Sequence, residues 1–119
     1  MKPHPILAAI AVLSISVTYA SRFAHASAPI QDPPGKAPYE DNCRKCHGVR
    51  GVPPKKMKEK YSKIVTFDAA FFEKHSRDSI VTILTKGKDE DMKSFKDKLT
   101  HEQMEAVADY IKLLGKKEK

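Results

Sequence analysis

Only two of the 119 residues are cysteine, Cys43 and Cys46, so a framework of several disulfides is excluded. Beyond Val17 no apolar run approaches the ~20 residues that a helix needs to span a bilayer. No segment alternates apolar and polar residues convincingly at period two, and no stretch repeats another, which argues against sheets and solenoids. The carboxylates are scattered, and the serines have no histidine in a recognisable context. No acid/base pair or activated nucleophile stands out. Acidic residues are also in deficit, 15 against 22 Lys+Arg. What remains is a single all-α domain with a basic surface.

The first 26 residues have the layout of a secretory signal peptide. Lys2 is the positive start, and Ile6 to Val17 is an apolar run broken only by Ser14 and Ser16. Ala24-His25-Ala26 is a small-x-small cleavage site that would leave Ser27 as the first mature residue; Thr18-Tyr19-Ala20 is a weaker alternative. A dozen apolar residues is too short for a membrane anchor. Removal of residues 1–26 takes away Lys2 and Arg22, leaving 20 Lys+Arg against 15 Asp+Glu, a net +5 instead of +7. Export to the periplasm is expected, and the exported basic chain is not expected to meet nucleic acid. The expected organisation is a signal peptide at 1–26, an irregular lead-in at 27–36 rich in proline, and one domain at 37–119.

The two cysteines stand two residues apart and are followed at once by a histidine, as Cys43-Arg44-Lys45-Cys46-His47. This is the pattern of covalent haem attachment. Both thiols add across the haem vinyl groups, and the adjacent imidazole takes the iron. On a helical turn, residues three apart share a face, so both sulfurs reach one porphyrin edge. Three other uses of a Cys-x-x-Cys pair compete. A dithiol redox site should lie between a strand and a helix, and no strand is visible. A structural zinc site wants four ligands, which His4, His25, His75 and His101 do not complete at any usual spacing. A plain disulfide stays open, because an exported chain meets oxidising conditions. A mature chain of about 93 residues is small for a self-sufficient core, and a haem would give it a large apolar body to pack against.

The periodicity places the helices. A first helix is expected from Pro38 to Cys46, ended by Gly48 and Gly51. A short one is expected near Met57–Ser62, and another across Ala69–Lys74 with Thr66 or Asp68 as its cap and Phe67, Phe71 and Phe72 near the core. Ser76 opens Arg77–Lys86, where Ile80, Ile83 and Leu84 share a face, and Gly87 stands at a left-handed C-cap. Thr100 and Gln103 form a capping box for a last helix running to Leu114, striped by Met104, Val107, Ala108 and Ile111 and ended by Gly115.

With the helices placed, residues 35–114 resemble a small class I monohaem cytochrome c of the bacterial periplasmic type. Gly35 and Tyr39 ahead of Cys43-x-x-Cys46-His47-Gly48 carry the likeness. So do the Ile80/Ile83/Leu84–Lys86–Gly87 helix end, Met92 with Phe95, and the helix from Leu99-Thr100 to Tyr110-Ile111. The resemblance implies the cytochrome c fold: about four or five short helices wrapped around one covalently bound haem c, the first and last crossing near Tyr39 and Tyr110. It also implies that Cys43 and Cys46 hold the haem and that His47 and Met92 are the axial ligands. A soft, neutral thioether favours reduced iron and raises the potential. Met57, in a lysine-rich stretch, and Met104, on an apolar stripe, are read as packing. His75 is read as a polar residue before a cap and His101 as a first-turn residue; either is the other side chain able to reach an iron. The sequence departs from many relatives around Met92, where Lys93 replaces a proline and Lys88-Asp89-Glu90-Asp91 replaces a glycine-rich turn. A looser Met92 loop is expected.

Eight basic residues lie between Arg44 and Lys63 against one acid, Glu59. They read as a solvated face or as a patch that steers an acidic redox partner to the haem edge. The function expected is an electron carrier that binds no substrate because both axial sites are filled, and a monomer is expected. The alternatives are a haem enzyme or ligand-binding cytochrome with a labile sixth site, or a haem subunit of a larger oxidoreductase complex.

Overall fold

A computed structural model describes residues 30–116. The expected signal peptide and most of the lead-in lie outside the described residues. Six α-helices follow one another, with no strand among the described residues: α1 (Lys36–Asn42), α2 (Arg44–His47), α3 (Lys55–Lys60), α4 (Ala69–Lys74), α5 (Arg77–Lys86) and α6 (His101–Lys116). The all-α expectation holds, with six helices in place of four or five.

The extra helix comes from a break at Cys43. A single helix was expected over Pro38–Cys46, but Cys43 sits at φ −119°, between α1 and α2. Its N–H still donates to the Tyr39 carbonyl at 2.8 Å, while its own carbonyl accepts from Cys46 at 3.1 Å and His47 at 2.9 Å. The backbone bends at this residue, and the Cys43–His47 motif forms a separate turn.

Caps fix most of the other boundaries. Asp68 Oδ1 accepts from the Phe71 N–H at 2.9 Å, and Ser76 Oγ from the Ser79 N–H at 3.2 Å. The capping box is reciprocal: Thr100 N–H donates to Gln103 Oε1 at 2.9 Å, and Gln103 N–H to Thr100 Oγ1 at 3.2 Å. Gly87 has the positive φ expected of it, +79°, but its ψ of 168° is extended and not left-handed helical. That region is open essentially to glycine alone.

Gly115 does not end the last helix, contrary to the sequence expectation; α6 continues to Lys116. Its lack of a side chain serves close approach instead. A Cβ there would lie 2.5 Å from Phe72 Cε2 and 2.7 Å from the Phe67 carbonyl oxygen. Gly35 plays the same part at the other end of the domain, where a Cβ would collide with the Ala106 carbonyl and stand 2.7 Å from Tyr110 Cβ. So α1 packs directly on α6. Tyr39 and Tyr110 meet there edge to face, 5.4 Å between centroids.

The core is α5 and α6 closed by α1. Tyr39, Ile80, Val81, Leu84, Leu99, Met104, Val107, Ala108, Ile111 and Leu114 are all buried. On the outside, Arg77 joins α5 to α6: it donates to Asp109 through Nε at 2.8 Å and Nη2 at 3.1 Å, and to Glu105 through Nη1 at 2.9 Å.

Candidate functional site: an apolar cavity beside the Cys43–His47 turn

A cavity of about 370 Å³ opens in the face of this core. The α1–α2 turn contributes Cys43, Cys46 and His47; α5 contributes Ile80, Ile83 and Leu84; the loop after it brings Met92 and Phe95; α6 closes the wall with Val107 and Ile111. These residues are distant in sequence. The fold brings Cys43, Cys46, His47 and Met92 to one cavity.

His47 is held from one side by Phe67, whose ring stacks on the imidazole at 4.8 Å and 16°. Phe67 is placed in turn by its N–H, which donates to the Gly51 carbonyl at 2.9 Å. Gly48, just after the motif, accepts the Tyr39 O–H at 2.7 Å in the buried core. Tyr39 is fully buried, and that burial holds its phenol neutral. The motif is thus anchored at its His47–Gly48 end by two aromatic side chains.

Nδ1 of His47 is buried and lacks a hydrogen-bond partner at bonding geometry. Burial lowers the imidazole pKa first; the Val65 carbonyl acts against that shift, and Lys88 adds to it. The ring is therefore neutral, the form that ligates a metal. Cys43 is 8% exposed, and burial, with Cys46 nearby, pushes its thiol up to about 12. Cys43 is therefore not the accessible thiolate from which dithiol exchange starts. Nor does a zinc-type set form, since among the described residues no group of three or more His, Cys, Asp or Glu side chains is placed to hold a metal ion by itself.

The methionines separate clearly. Met92 lines the cavity, Met104 is buried in α6 and accepts from Thr85 Oγ1 at 3.6 Å, and Met57 borders no part of the cavity. Of the two histidines named as other ligands, His101 is exposed and lies 3.7 Å from Glu105, away from the cavity. His75 does border it, tilted against Phe71 at 4.6 Å with Nδ1 3.4 Å from Ser79 Oγ.

The Met92 loop is tied down where a loose one was expected. Asp89 Oδ1 accepts from the Met92 N–H, Ser94 Oγ donates to the Thr85 carbonyl at 2.6 Å, and the Phe95 N–H donates to the Leu84 carbonyl at 2.8 Å. The sequence reading placed Phe67 near the core and Asp89 in the loop but missed the stacking of one on His47 and the bond of the other to Met92. Phe67 lies twenty positions from His47 and carries no local signal. Asp89, three residues before Met92, fits the known preference of aspartate for turns that bond their own backbone.

A mostly apolar cavity, two adjacent thiols at its rim, a neutral imidazole and a thioether form a donor set suited to haem. The family model described as "Cytochrome C oxidase, cbb3-type, subunit III" matches residues 31–111. The chain belongs to the c-type cytochromes. A solved structure, the KustC0563 c-type cytochrome, is similar to it at 31% identity and a TM-score of 0.61; the likeness covers 67% of this chain and 95% of that one. No curated protein matches the sequence. Membership gives this cytochrome covalently bound haem c and haem-based electron transfer as its chemistry. When bound, the haem supplies an iron that moves between two oxidation states. The protein's part is to hold that group in an apolar wall, fix its ligands and exclude water.

Proposed function

We propose that this cytochrome is an exported carrier of single electrons with one haem c, bonded through Cys43 and Cys46 and ligated axially by His47 and Met92. The convergence of those four side chains on one cavity carries the reading. Two filled axial positions leave no site for a substrate, and a rigid apolar wall keeps reorganisation small during electron transfer. The chain is exported by residues 1–26, works in the periplasm as a monomer, and begins at Ser27 once cut. The described residues contain no helix long and apolar enough to cross a membrane, which is compatible with this reading.

Electron donor and acceptor are proposed to be proteins with acidic docking faces. Arg44, Lys45, Arg50, Lys55, Lys56, Lys58, Lys60 and Lys63 are all exposed, and Arg44 and Lys45 lie between the two cysteines. A positive field there orients an acidic partner before contact.

The test is spectroscopic. Low-spin ferric iron with a sulfur-to-iron charge-transfer band, and a ferrous spectrum that carbon monoxide leaves unchanged, support the carrier. High-spin iron and ready carbon monoxide binding would defeat it and favour a ligand-binding cytochrome. The matched family description favours a second reading, a haem subunit within an oxidase-type complex. Isolation from the periplasm as part of a larger assembly, with the same spectrum, would support that over a free carrier.

A further inference from the structure

The Met92 loop contains neither proline nor glycine between Lys88 and Leu99, yet both backbone polar atoms of Met92 are engaged. Its N–H donates to Asp89 Oδ1 at 2.9 Å. Its carbonyl accepts from the Lys88 N–H at 2.8 Å and from the Asp89 N–H at 3.4 Å. The same Asp89 oxygen also accepts from the Asp91 N–H at 3.1 Å. One carboxylate therefore closes the turn from inside while the backbone closes it from outside. Gly87 lets this turn sit against the end of α5, since a Cβ there would lie 2.7 Å from the Ser94 nitrogen and 3.0 Å from the Met92 carbonyl oxygen.

We propose that Asp89 is the positioning residue for the sixth iron ligand. Its carboxylate does the work of a rigid proline turn, fixing the Met92 backbone so that the thioether stays in the cavity. The inference rests on the reading of Met92 as ligand. The physical argument concerns the detached state. A loop held by Asp89 has few conformations available when sulfur leaves the iron, so rebinding is favoured. Without that acceptor the Met92 and Asp91 N–H groups turn to water and the loop spreads over many conformations. An added ligand that competes for the iron then gains what the methionine loses. Asp89 acts through the backbone of Met92.

The holoprotein, exported with its haem, is compared with Asp89→Ala, Asp89→Asn and Glu90→Ala. Glu90 is exposed and borders no part of the cavity, so its removal controls for loss of one negative charge. The readouts are the ferric sulfur-to-iron band and the affinity of the ferric protein for imidazole, which competes for the sixth position. Asp89→Ala is expected to bind imidazole about tenfold more tightly, the factor given by the net worth of one or two hydrogen bonds. Its sulfur-to-iron band should fade at a lower temperature. Asp89→Asn keeps an acceptor oxygen and should stay within roughly twofold of the unsubstituted protein. Equal imidazole affinity in Asp89→Ala and the unsubstituted protein overturns the proposal, as does an equal gain in Glu90→Ala. A sulfur-to-iron band missing from the unsubstituted protein instead overturns Met92 ligation itself, and this inference falls with it. The two failures are therefore distinct.

Discussion

His47 holds the one buried side-chain nitrogen or oxygen that lacks a hydrogen-bond partner among the described residues. Such an atom is costly unless it serves a purpose. An imidazole bound to a metal through Nε2 presents Nδ1–H as a donor, and the Val65 carbonyl, which already favours a proton on the ring, is the acceptor available to it. On the other proposed ligand, replacement of Met92 by alanine should convert the ferric iron to a high-spin or water-ligated form. The potential should fall by on the order of 0.1–0.3 V, within the ~0.8 V that axial ligands command. Voltammetry and magnetic spectroscopy check both. Tyr39 is a structural counterpart. Tyr39→Phe leaves the Gly48 carbonyl without its 2.7 Å partner in the core, which should lower stability by roughly 1–3 kcal/mol in denaturant titrations.

At the level of elements, the contact of α1 with α6 depends on what Gly35 lacks. A methyl group at that position meets the Ala106 carbonyl, which is backbone and cannot swing aside. Gly35→Ala should cost at least the ~1–3 kcal/mol typical of overpacking, read as a lower thermal midpoint. Thr100→Ala removes half of the capping box and should cost about 1 kcal/mol without changing the haem spectrum. These elements were unequally legible in the sequence. The boundaries of α4 and α5, and the start of α6, were readable because Asp68, Ser76 and Thr100–Gln103 are local signals, each acting within three residues. The break at Cys43 was not readable. No proline or glycine stands at that position to announce it. Gly115 was misread for a related reason: a glycine near a helix end looks the same in sequence whether it stops the helix or admits a neighbouring ring.

Over the whole molecule, the cavity and the core are one structure. Cys43, Ile80, Leu84, Val107 and Ile111 line the cavity and are also core residues. A domain of this size has little apolar surface to spare. Replacement of both cysteines by alanine, so that no haem is held, should leave those walls facing water. A marked loss of helical circular dichroism and of cooperative melting is the expected result. The basic patch is also a property of the whole surface. Its contribution to partner encounter should shrink as the Debye length falls from ~10 Å at 0.1 M salt to ~3 Å at 1 M. Electron-transfer rates measured with an acidic protein partner should drop over that range; a flat profile would exclude steering.

The sequence by itself determined the c-type cytochrome family, the all-α class and most helix boundaries. Cys-x-x-Cys-His spacing, caps and apolar stripes all act over a few residues, so they can be read along the chain. Only the tertiary structure decided which methionine reaches the cavity, which aromatic ring supports His47, and whether the Met92 loop is loose or tied. The first two depend on Met92 and Phe67 meeting the His47 side of the cavity from 45 and 20 positions away, and the last on bonds of Asp89, Ser94 and Phe95 that the composition of the loop does not announce. The clearest case is the last. Its charged, proline-free sequence read as slack, and the fold turned one of those charges, Asp89, into the clamp.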